Sequence, residues 1–125
     1  MDWVVQIGLV ELAIGGLLGW AMVLRQESPD FLRRIGVVAP QRIRQIHLDY
    51  VMMGLILIGV GLAVPDLPTP FAVALAFGTA VNPFLFLPLA FDPDMVDRLW
   101  YRSLAVVSFL AVSGSLVAAA IVGPG

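Results

Sequence analysis

Apolar residues run almost unbroken through four stretches of the chain, at about 3–24, 47–64, 70–90 and 100–122, and polar residues are confined to the connections between them. A helix needs about 20 apolar residues to cross the hydrocarbon of a bilayer, and each stretch is of that order. The alternation of polar and apolar positions that a membrane β-barrel requires is absent. Backbone amides in lipid must be bonded within their own segment, which leaves the helix as the solution. The pattern therefore predicts an all-α fold: an integral membrane bundle of four transmembrane helices, forming one domain over residues 1–125. A cleaved signal would need positive charge ahead of its apolar run, and Met1-Asp2-Trp3 supplies none, so the first stretch is expected to be a retained helix.

The first connection has an order of its own. Ser28 followed by Pro29 reads as an N-cap and a proline at the first helical position, and Asp30 suits a helix N-terminus. Phe31, Leu32 and Ile35 would face lipid while Arg33 and Arg34 face water. This predicts a short interfacial helix ending at Gly36. Small residues also recur at helical spacing: Gly15 and Gly19 in the first span, Gly54 and Gly61 in the second, Ala72, Ala76 and Ala80 in the third, Ala111 and Ser115 in the fourth. Such stripes let helices approach closely, within one chain or between copies.

Composition agrees with a membrane setting. Of 125 residues, 60% are hydrophobic and 13% charged, against roughly 45–50% apolar and 25% charged in a soluble domain. There is no cysteine, which excludes disulfides, iron–sulfur ligation and thiol chemistry. All seven basic residues are arginine: Arg25, Arg33, Arg34, Arg42 and Arg44 precede or fill the first connection, and Arg98 and Arg102 flank the third. No basic face interleaved with aromatics suggests nucleic-acid binding. Arginine-rich connections stay in the cytoplasm, so both termini are expected on the non-cytoplasmic side. Trp3, Trp20, Tyr50, Trp100 and Tyr101 are expected in interfacial aromatic belts.

Three polar features fall within the spans. Glu11 lies about three turns into the first, where a charge costs roughly 2.5–3.5 kcal/mol or more. It is expected to face the bundle, either as a proton-relay or substrate group or as a structural hydrogen bond between helices. Asn82-Pro83 interrupts the third span, frees a carbonyl about one turn back near Thr79, and sets a kink beside a side chain that can donate and accept. Pro88 adds a second break. His47, the single histidine, begins the second span, with Tyr50, Val51 and Gly54 on roughly the same face. One histidine cannot build a zinc site, but it can be the axial ligand of a haem. No phosphate loop, nucleophile elbow or HExxH is present.

The stretch from Arg44 to Gly54, running on to Pro65-Asp66-Leu67, resembles styrene oxide isomerase. That family has its histidine at the place of His47, a glycine seven residues later and a Pro-x-Leu turn closing the helix. Asn82 with Phe84 and Phe86 is similar to the family's third-helix asparagine and aromatic pair, and the Gly-rich run ending Gly19-Trp20 matches in position. The four helices cover nearly the whole chain, although the family's longer tail is lacking. The resemblance implies a homotrimer with haem b between subunits, His47 as the axial ligand, and ring opening of an epoxide to a carbonyl compound. It also implies a pocket asparagine and tyrosine, and this chain has Met53 and Phe86 at those positions, neither able to hydrogen-bond as the original does.

Two classes of function follow. One is an isomerase-like haem protein with altered or lost epoxide chemistry, in which Glu11, Tyr50, Met53, Asn82 and Phe86 are candidates for the substrate pocket. The other is a non-catalytic accessory subunit packing beside a larger membrane complex such as a transporter, which the small size, short loops and small-residue stripes would suit. A four-helix exporter is a third, which Glu11 invites and the one-sided arginines oppose.

Overall fold

A computed structural model describes residues 2–125. Six α-helices follow one another: α1 (Asp2–Glu27), α2 (Pro29–Arg34), α3 (Gln41–Ala63), α4 (Thr69–Phe84), α5 (Phe86–Phe91) and α6 (Leu99–Val122), with a 3₁₀ turn at Pro93–Asp97. No strand occurs among the described residues. Four helical segments are long and apolar enough to cross a membrane: α1, α3, α4 together with α5, and α6. Their outer faces carry large apolar side chains, among them Leu17, Trp20, Leu62, Phe109 and Ile121. Water would not support such a surface, but lipid does.

Polar residues extend the helices past the hydrocarbon at the arginine-rich end. The second spanning helix begins at Gln41, not at His47, because Arg42, Arg44 and Gln45 continue the helix in polar surroundings that an apolar run does not reveal. His47 consequently sits in the second turn of α3. The short helix α2 ends as its sequence suggests. Gly36 takes φ +97°, the Gly36 N–H donates to the Arg33 carbonyl and the Val37 N–H to the Leu32 carbonyl. That pair of bonds is a Schellman cap, and glycine takes the left-handed φ without a Cβ clash. Ser28 is the N-cap, though its side chain makes no capping bond. Leu32 turns inward onto Val37, Ile43 and Ala90, while Phe31 and Ile35 remain exposed. The connection is then pinned by the Val38 and Ala39 N–H groups, both donating to the Ala90 carbonyl at the end of α5.

α3 is the hub of the bundle, packing on α1, α4 and α5, while α6 packs on α4. The α1–α3 seam is the most intimate contact. A Cβ on Gly54 would lie 2.7 Å from the Leu12 nitrogen and 2.8 Å from the Gly8 carbonyl oxygen; one on Gly15 would lie 2.9 Å from the Val51 nitrogen. Glycines at these points let the two backbones touch. Gly19 instead faces the His47 ring, and Gly16 meets nothing. On α4, Gly78 gives the same close approach to α6 at the Ser108 carbonyl.

Two of the five aromatic residues expected in interfacial belts face into the bundle, not outward. Tyr50 and Tyr101 are buried, and their hydroxyls donate to the Ala80 and Leu85 carbonyls at 2.9 and 2.7 Å. Both acceptors flank Pro83, where the helix path breaks at Leu85 between α4 and α5. The two phenols thus add hydrogen bonds from α3 and α6 to the backbone on either side of the break. Trp3, Trp20 and Trp100 stay on the outside.

Substituting Gly54→Ala should destabilise the bundle by about 1–3 kcal/mol, because the methyl meets backbone that cannot rotate away. Gly59→Ala, whose methyl would meet nothing, should leave stability unchanged within about 0.5 kcal/mol. Thermal unfolding in detergent compares the two.

Candidate functional site

The candidate residues fall into three places. His47 occupies the α1–α3 seam. Its Nδ1 lies 2.6 Å from the Gly15 carbonyl oxygen. A carbonyl oxygen only accepts, so Nδ1 carries the proton and donates it. Of the two neutral tautomers, this bond selects the one with its lone pair on Nε2, for which no described residue supplies a partner. A Cβ on Gly19 would lie 3.5 Å from the ring's Cε1, an ordinary van der Waals contact, so the imidazole packs on α1 at this point. Histidines that bind metals are held in this way, with one nitrogen donating to a carbonyl and the other free to coordinate. No group of three or more His, Cys, Asp or Glu side chains able to hold a bare metal ion occurs among the described residues.

The second place is a cleft of about 560 Å³ between α3, α4, α5 and α6, lined by Asp49, Met53, Asn82, Phe86, Tyr101 and Phe109 among others. Its walls are mostly apolar. Asn82 is oriented by Ser108, whose hydroxyl donates to the Asn82 Oδ1. With the oxygen so engaged, the amide NH₂ is left as the donor that Asn82 can offer the cleft. Asp49 contributes the one carboxylate in the lining. Met53 and Phe86 bring side chains without a hydrogen-bonding group strong enough to hold a substrate oxygen.

Glu11 lies in the third place, at the contact of α1 with α4. It is 2% exposed, and its Oε2 is 2.8 Å from the Thr79 Oγ1. Its Oε1 is buried with no partner. Neither Glu11 nor His47 lines the cleft.

The structure thus brings Met53, Asn82 and Phe86 together, and sets His47, Tyr50 and Glu11 apart from them. The reason is helical geometry. At about 100° per residue, Met53 points some 120° away from His47 around α3, whereas Tyr50 and Gly54 stay near the histidine's side. Asp49 shares the cleft face because it stands one turn before Met53, a spacing that was available in the sequence. Ser108 and Thr79 carried no comparable signal: a hydroxyl within an apolar span is common, and only the packing shows which polar residue it meets.

No family model matches this chain, nor does any curated protein or solved structure.

Proposed function

We propose that this is a membrane-embedded haem protein of the styrene oxide isomerase type, in which His47 is the axial ligand and the substrate chemistry has moved away from epoxide isomerisation. The observation that carries this reading is the Nδ1–Gly15 hydrogen bond, which leaves Nε2 as the ring's coordinating atom. A haem needs only one or two ligands from the protein, which suits a chain with a single histidine. Arg25, Arg42 and Arg44 stand at the same end of the bundle, where propionate carboxylates would be welcome, and Arg42 Nε is buried without a partner. In the family that the chain resembles, bound haem supplies a Lewis acid for an epoxide oxygen.

The separation of His47 from the cleft fits an arrangement in which a homo-oligomer places one copy's histidine next to another copy's cleft. Within that arrangement, Asn82 would donate to a substrate oxygen from the cleft wall, and Phe86 and Phe109 would enclose an apolar body. Met53 and Phe86 remove the two hydrogen-bonding groups that the resemblance implies for holding the epoxide, so this cleft suits a ligand gripped mainly by its apolar surface.

The protein purified in mild detergent from haem-replete cells should show a Soret band, and His47→Ala should abolish it. Colourless protein would overturn the assignment. Met53→Asn combined with Phe86→Tyr should raise conversion of styrene oxide to its aldehyde above that of the parent chain; no gain in a variant that retains its Soret band would show that these two positions do not set the chemistry.

The orientation we propose places both termini on the non-cytoplasmic side, supported by seven arginines confined to one end of the bundle. The chain has no cysteine of its own, so single cysteines report without background. Asp66→Cys should react with a membrane-impermeant maleimide in intact cells and Ser28→Cys only after permeabilisation. The reverse pattern would invert the topology.

A further inference from the structure

Glu11 is used by none of the chemistry proposed above, yet it is the most deeply buried ionisable side chain at a helix contact. Its surroundings form a short hydrogen-bonded row. Glu11 Oε2 lies 2.8 Å from Thr79 Oγ1, and Thr79 Oγ1 lies 3.1 Å from the Ala76 carbonyl oxygen. The row holds two contacts, and each needs a proton. Ala76 contributes an acceptor only, and the threonine hydroxyl has a single proton to give. A threonine within a helix commonly spends that proton on the carbonyl three or four residues back, which here is Ala76. The contact to Glu11 must then be supplied from the other side, by a carboxylic acid O–H donating to Thr79 Oγ1.

Charge leads to the same assignment. An ionised Glu11 would have one hydrogen bond, to Thr79, and a bare Oε1 in the interior of an apolar bundle. Among the described residues no cation is paired with it. The arginines are confined to positions 25–44 and 98–102, outside the depth of Glu11. On α3, the ionisable group on this side is Tyr50, whose hydroxyl is engaged by the Ala80 carbonyl; Asp49 lies on the cleft side, and His47 is bonded to Gly15 a turn nearer the arginine-rich end. α4 contributes Thr79 and no ionisable group, and α6 none at this contact. A neutral acid leaves only an unpaired carbonyl oxygen at Oε1, a much smaller penalty than an unpaired charge.

We infer that Glu11 is a proton-binding site within the membrane: a neutral acid that holds its proton on Oε2 and donates it to Thr79 Oγ1, which relays to the Ala76 carbonyl. The same heavy-atom positions serve the deprotonated state. When the proton leaves Oε2, the Thr79 hydroxyl turns from Ala76 and donates to the carboxylate instead. One proton is lost, one O–H rotates, and no backbone has to move. The α1–α4 contact is therefore built to hold a proton, and the resting bundle holds it.

The chain has only two glutamates, Glu11 and the exposed Glu27, so a Glu27→Gln variant retains Glu11 alone. Made in a cell-free reaction with glutamate carrying ¹³C in its side-chain carboxyl, it can be examined in lipid by infrared spectroscopy at neutral pH. The expected result is an isotope-shifted carboxylic acid C=O band with no isotope-shifted carboxylate band. Adding Thr79→Val should move that acid band to higher frequency as the hydrogen bond is lost. A carboxylate band in place of the acid band overturns the inference. An acid band indifferent to Thr79→Val overturns the relay through Thr79. Both readouts are independent of haem, so a colourless protein with the acid band would reject the haem assignment and leave the proton site standing.

Discussion

The positions of His47 and Glu11 both depend on how closely α1 and α3 approach. Gly8, Gly15 and Gly54 carry no Cβ where the two backbones meet, and the spaces they leave are filled by the opposing main chain. Lipid gives little hydrophobic drive for helix association, so close packing of this kind supplies the adhesion. It also fixes chemistry. The Gly15 carbonyl is within 2.6 Å of His47 only because α3 lies against α1 at Val51. The same contact orients α1 so that Glu11 reaches past α3 to Thr79 on α4. A bulkier seam would move both residues together.

A second constraint is the scarcity of partners for polar groups at membrane depth. The chain meets it in several places by pairing a polar group of one helix with a side chain from another. Pro83 and the break at Leu85 are accompanied by Tyr50 and Tyr101, which donate to carbonyls on either side of the break. Asn82 is met by Ser108, and Glu11 by Thr79. These bonds cross between spans, so the polar residues also set which helices stand next to which. The cleft opens beside the same break, where α4 gives way to α5 and the regular packing is interrupted.

The four spans, the short helix between the first two and its glycine cap were legible in the sequence because each rests on local physics: hydropathy over about 20 residues, proline at a helix start, glycine at a helix end. Tyr50 and Tyr101 were expected to face outward because aromatic residues near the ends of apolar runs usually do, but their acceptors lie 30 and 16 residues away in sequence, on either side of Pro83. The burial of Glu11 could be anticipated from the cost of a charge at that depth, but its partner could not, since Thr79 is 68 residues away. The separation of His47 from Met53 follows from helical angle alone. Proximity in sequence nonetheless suggests one site, and the structure shows two sides of α3.

The haem assignment rests on one ring. His47 is the only histidine, so protein labelled with ¹⁵N-histidine gives signals from this side chain alone. In the haem-free protein in lipid, nitrogen NMR of the unprotonated-ring form should show the tautomer with the proton on Nδ1 and a bare Nε2. A proton on Nε2, with Nδ1 bare, would contradict the Gly15 bond and remove the basis for assigning His47 as a ligand.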